Sequence, residues 1–155
     1  MSERKRICGV LAKAGPGVPA LGPVPDEITE PFTVLLWGIT TDRVKAWLGA
    51  GEATAENELR GIPASPGFVE GLARVVMAAS ELGSIKEGEI LVCPITSPSW
   101  TPVFGRIKAA VCDIGGIMSH AAIVCREYGL PAVVGTGTAT KRIRTGARIR
   151  VDANV

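Results

Sequence analysis

An α/β fold is predicted from three features of the sequence. After Gly61, short apolar runs bounded by turn residues alternate with short helical patterns, giving the order strand, helix, strand, helix, strand. Three of those runs, "GEILVCPI", "KAAVCDI" and "LPAVVG", carry the near-continuous apolar character of strands covered on both faces. With 46% hydrophobic and 21% charged residues, a chain of 155 residues can bury one compact core and carry an appendage.

Near the start of the chain, "AGPGVPALGPVPDEITEP" (Ala14 to Pro31) is too rich in proline and glycine for a long helix or strand and predicts an extended arm that lies over a surface. "TVLLWGI" (Thr33 to Ile39) is a short apolar run and reads as a strand. "TTDRVKAWLGAG" reads as a short helix with Thr41 as N-cap, glycine past its end, and Val44, Trp47 and Leu48 on one apolar face. Trp37 and Trp47 are expected to be ordinary core residues. The composition changes near residue 60, so the chain divides into an arm, 1–59, and a domain, 60–155.

Within that domain Phe68 to Met77 partly alternates, and strands are expected over Gly88 to Ile95, Lys108 to Ile114 and Leu130 to Gly135. "GARIRVDAN" (Gly146 to Asn154) alternates Ile149 and Val151 with Arg148, Arg150 and Asp152, the pattern of a half-buried strand. "TPVFGRIKA" predicts a helix with Pro102 at its first position. "SHAAIVCREYG" predicts a second helix that stops at Gly129.

Composition also narrows the function. A formal net charge of +2 with basic clusters only at Arg4 to Arg6 and Lys141 to Arg150, and few aromatic residues, argues against a nucleic-acid binder. No apolar run is long enough to span a membrane, and the start lacks the apolar stretch of a secretory signal, so a cytoplasmic location is expected. Cys8, Cys93, Cys112 and Cys125 have no C-x-x-C spacing and suit reduced core thiols; a metal site is not expected. No P-loop pattern is present, so the chain by itself is not expected to bind ATP.

The single histidine, His120, stands out. If a strand runs through Cys112 into Gly115 and Gly116 and a helix begins at Ser119, His120 lies in the first helical turn, where backbone N–H groups lack intrahelical partners. Such a turn favours phosphate, and two glycines would let backbone approach it closely. The same field disfavours imidazolium and keeps the ring neutral and nucleophilic. The spacing alone equally allows a core histidine with a hydrogen-bonded ring. A hydrolase would need a nucleophile elbow, and no G-x-S-x-G occurs.

"GGIMSHAAIVCREYGLPAVVGTGTAT", with "GIPASPGFVEGLARVV" upstream, resembles the mobile phosphohistidine domain of phosphoenolpyruvate-utilising enzymes, such as phosphoenolpyruvate synthase and pyruvate phosphate dikinase, over Leu59 to Val155. The resemblance implies a swivelling β/β/α domain in which His120 accepts a phosphoryl group and Gly115, Gly116, Ser119, Ala121 and Arg126 bind it. It further implies ATP and Mg²⁺ on a nucleotide-binding, ATP-grasp-like partner domain or subunit and a second partner holding the acceptor, pyruvate-like or phenol-like. "PFTVLLWGITTDRVKAWLGAG" resembles the segment before the mobile domain in synthases acting on aromatic acceptors, as in phenylphosphate synthase. Met118 departs from the pattern, which has threonine there, and the chain stops soon after "VD". The Met118 departure leaves a second reading, a docking module that keeps the fold without the chemistry.

Overall fold

The computed structural model describes residues 26–47 and 57–154. Most of the predicted extended arm, and Cys8 with it, lies outside the described residues. The segment after the arm is helical, not a strand: α1 covers Pro31–Leu35. The reason is local. Glu30 caps the helix with its carboxylate, accepting from the N–H groups of Phe32 at 3.1 Å and Thr33 at 2.6 Å, and Pro31 at the first position needs no partner for its nitrogen. Gly38, at φ +69°, then reverses the chain, its N–H donating to Val34 O. The next helix, α2 (Thr41–Trp47), is capped by Thr40, one residue earlier than predicted, because the Thr40 hydroxyl accepts from Arg43 N at 3.3 Å. The Thr41 hydroxyl instead accepts from Ile28 N, tying the stretch before α1 to the helix.

Six strands form one sheet in the order β1-β5-β4-β3-β2-β6. They are β1 (Ile62–Ser65), β2 (Phe68–Val75), β3 (Ile90–Cys93), β4 (Ala109–Cys112), β5 (Ala132–Val134) and β6 (Arg148–Asp152). The central strands β2, β3, β4 and β5 are parallel neighbours, and β1 and β6 pair antiparallel at the two edges. Burial follows the sequence pattern: β3 and β4 are buried at every position, whereas β6 alternates around a buried Val151.

The connections carry the helices. Between β3 and β4 lies a 3₁₀ helix, Pro98–Val103, where the sequence predicts an α-helix starting at Pro102. Pro102 sits inside it and lacks the N–H that an α-helical turn would require, so the segment closes by shorter bonds, Trp100 N–H to Ser97 O and Phe104 N–H to Thr101 O. Between β4 and β5 runs α3 (His120–Tyr128), ended by Gly129 at φ +65° as its glycine predicted. A single turn, α4 (Ala139–Arg142), packs on the opposite face.

Two cores result. One joins α3 and the two 3₁₀ helices, Ala79–Ser84 and Pro98–Val103, to the sheet around Leu91, Phe104, Ala110 and Cys125; the other lies under α4 around Ile90, Val92 and Val111. Each fully buried side chain of the size of Leu91 or Phe104 contributes about 1.5–3 kcal/mol, more than a typical hydrogen bond, so the sheet is a firm base for the loops at its strand ends. Cys93, Cys112 and Cys125 are buried free thiols, with the sulfurs of Cys93 and Cys112 3.6 Å apart across paired positions of β3 and β4.

Candidate functional site

Parallel strands gather their following loops at one end of the sheet, where open α/β sheets bind ligands. Two of these loops meet here. After β3 the chain reaches Thr96, and after β4 it passes Asp113, Ile114 and the glycine pair before Ser119, at the N-cap position of α3, and His120, which opens the helix. Asp113 fixes the second loop: its carboxylate accepts from Thr136 Oγ1 at 3.1 Å, from Thr140 N at 3.2 Å and from the Thr140 hydroxyl. The threonines of "TGTAT" therefore lock the loop after β5 to the end of β4.

His120 is held from the side and beneath. Its Nδ1 lies 2.9 Å from Thr96 Oγ1, and its ring meets the edge of the fully buried Phe104, 6.1 Å between centroids. Burial lowers the pKa of the imidazole, which favours the neutral ring. When Nδ1 carries the proton it donates to Thr96, and Nε2 keeps its lone pair. The first helical bond of this turn runs from Ile123 N–H to Ser119 O, so the amides of His120, Ala121 and Ala122 come before the α-helical ladder begins.

The ring opens on a cleft of about 160 Å³. Its polar side chains are Thr96, Ser119 and His120, and the Ser119 hydroxyl is buried without a hydrogen-bond partner among the described residues. Its apolar wall comprises Leu36 and Trp37 from the end of α1, with Ile95 and Ile114 from the two strand ends. Trp37, expected from the sequence to be a core residue, is 49% exposed and stands at this cleft. The Trp47 side chain lies outside the described residues.

Of the residues singled out in the sequence, Ser119, His120 and Ala121 converge on the cleft. The glycine pair serves packing. A Cβ on Gly115, which has φ +139°, would come within 2.9 Å of Ser119 Oγ, and one on Gly116 would overlap the carbonyl oxygens of Val34 and Leu35. Gly116 N–H donates to Leu36 O at 3.0 Å and Met118 N–H to Leu35 O at 2.9 Å. The group that approaches the glycine closely is thus the C-terminal end of α1, whose free carbonyls need donors. Arg126 is not brought to the cleft: it lies in the last turn of α3, and its guanidinium donates to Ala64 O at 2.8 Å. Met118 is 52% exposed and does not line the cleft, so the departure there removes no group from it.

Sequence reasoning missed Thr96 and the wall from α1. A threonine directly after an apolar strand run was the available signal for the first, since strand ends in a parallel sheet face the site. Nothing in the sequence spacing reports the second, which joins residues some eighty positions apart.

The chain is similar to known proteins over much of its length. Residues 85–155 match the family model of the PEP-utilising enzyme, mobile domain. An uncharacterised phosphotransferase of Bacillus subtilis is 48% identical over 103 residues, 66% of this chain and 12% of that protein. A rifampicin phosphotransferase of Bacillus cereus is 52% identical over 91 residues, 59% of this chain and 10% of that protein. A phosphoenolpyruvate synthase of Pyrococcus furiosus is 47% identical over 116 residues, 74% of this chain and 14% of that protein. The chain therefore spans a small fraction of the length of these curated relatives. Residues 85–155, from β3 through the His120 helix to β6, thus carry the similarity to the mobile domain of PEP-utilising enzymes.

Proposed function

We propose that His120 is a phosphoryl carrier that takes the group from a nucleotide-binding partner domain or subunit and delivers it to a small organic acceptor. The observation that carries this reading is the geometry of the ring: Nδ1 lies at Thr96, and the imidazole opens on a cleft beside the first amides of α3. In the first step neutral Nε2 attacks phosphorus, a P–N bond forms, and the P–O bond to the donor's leaving group breaks. Backbone amides at the helix start and the unpartnered Ser119 hydroxyl suit the phosphoryl oxygens. In the second step an acceptor oxygen attacks phosphorus, the P–N bond breaks, and the hydroxyl proton passes to the imidazole or to a base on the acceptor side. ATP and Mg²⁺ belong to the partner in this reading.

The test is His120→Ala in the full-length protein with its nucleotide-binding component. Phosphate incorporation, read by intact mass or ³¹P NMR, is expected to vanish, with a stability loss of about 1 kcal/mol from the lost Thr96 contact. Undiminished incorporation in the variant defeats the carrier reading. A wild-type protein that takes no phosphate leaves the docking-module reading in its place.

A further inference from the structure

The segment Pro31–Trp47 lies outside the residues matched by the family model, yet it is built into the site. Leu35 O and Leu36 O accept from Met118 N and Gly116 N, the backbone of the turn that leads into His120. Leu36 and Trp37 then form part of the cleft wall. A Cβ on Gly38 would overlap Gly115 O, so the two chain segments touch backbone to backbone.

Arg43 lies at this contact. From α2 its guanidinium donates to Gly38 O at 3.2 Å and lies directly against Gly135, where any Cβ would overlap it. It is half-buried and interacts electrostatically with Asp113, the carboxylate that locks the loops at the strand ends. Burial lowers the pKa of the guanidinium while Asp113 opposes that shift. A cation is thus placed between the reversal at Gly38 and the carboxylate hub of the domain.

We propose that the segment Pro31–Trp47 is a working part of the phosphoryl site, in which Arg43 is the positioning residue that seats Leu36 and Trp37 on the cleft at His120. The proposal rests on His120 being the reactive group. Trp37 is the wall that screens the imidazole and meets the incoming acceptor, and Arg43 acts through it. Among the described residues, the groups that line the cleft with His120 are apolar side chains and the hydroxyls of Thr96 and Ser119, none of them charged.

His120 is the only histidine in the chain, so its ring resonances report on this site alone. The experiment titrates His120 by NMR and labels it with potassium phosphoramidate, in wild type, Trp37→Ala, Arg43→Met and Arg43→Lys. In the labelling step a ring nitrogen attacks the reagent's phosphorus, its P–N bond breaks, and ammonia leaves with the proton. Trp37→Ala and Arg43→Met are each expected to move the His120 titration up toward that of a free imidazole and to change the labelling rate at least threefold. Arg43→Lys is expected to recover most of both. Trp37→Ala changes no charge, which separates screening by the wall from the loss of a cation. Wild-type titration and labelling in both Trp37→Ala and Arg43→Met, with unchanged melting, would overturn the proposal and leave the segment a strap. If Arg43→Met fails to fold, the half-exposed Trp37 decides the matter through Trp37→Ala. Failure of His120 to take phosphate from a nucleotide-loaded partner would defeat the carrier reading and leave the titration shift standing, so the two failures are distinct.

Discussion

A nucleophilic imidazole needs one nitrogen held and the other free, and at His120 the holding group is a single hydroxyl. Thr96 is buried, so its hydroxyl has few alternative partners, and its loss leaves Nδ1 without an orienting contact. Thr96→Val is expected to slow phosphohistidine formation about tenfold or more while costing about 1 kcal/mol of stability. Thr96→Ser keeps the hydroxyl and is expected to stay within a few-fold of wild type. Single-turnover labelling alongside thermal melts checks both; a Thr96→Val protein that labels at the wild-type rate would show that the contact has no part in the chemistry. By contrast Met118, exposed and off the cleft, is expected to tolerate replacement by threonine with little change in labelling.

At the scale of elements the decisive one is α3, whose start carries the imidazole and whose end must stop cleanly before β5. Gly129 provides that stop at φ +65°, and a side chain added there meets nothing within 4 Å. The cost of Gly129→Ala is therefore purely conformational, about 1 kcal/mol, and is expected in the melting curve without any effect on labelling. The opposite case is Gly116, whose φ is ordinary but whose Cα faces the carbonyls of α1. Gly116→Val is expected to cost about 3 kcal/mol and to displace α1, so labelling falls with it. Retained labelling and stability would mean that α1 does not seat on the turn as described.

Across the whole molecule, stability at acid pH depends on groups whose charge state the fold selects. The bidentate hydrogen bond from Arg74, at 2.9 and 2.6 Å, holds the Glu89 carboxyl below the usual carboxylate range, with the Lys86 N–H at 2.8 Å adding to it. Because the folded pKa lies below the unfolded one, this contribution is present above the ordinary carboxylate pKa and is lost as the pH falls through the depressed folded value. Burial depresses the imidazole pKa of His120 also, so its contribution is present above the ordinary imidazole value and declines as the pH falls below it. Both act in the same direction. Glu89→Gln is expected to lower stability by about 2 kcal/mol at neutral pH and to flatten the acid limb, as followed by urea unfolding across the pH range. An acid limb as steep as that of wild type would show that other carboxylates govern it.

Local pattern alone was enough for the α/β class, the five strands from Phe68 onward, the helix ending at Gly129 and the placing of His120 at a helix start. Each follows from an alternation, an apolar run or a turn residue acting over a few positions. Local chemistry also explains the two elements that differ from expectation: the Glu30-Pro31 pair is a helix-start signal that outweighs the apolar run after it, and the start at Pro98 puts Pro102 inside the second helix, where its missing N–H does not allow an α-helical ladder. Long-range packing settled the rest: the hydroxyl that reaches Nδ1, the partner of Gly116 N–H, the direction of Arg126 and the exposure of Trp37. These depend on which strand ends lie side by side and on where α1 docks, and contacts across tens of residues leave no period in the sequence for the eye to find.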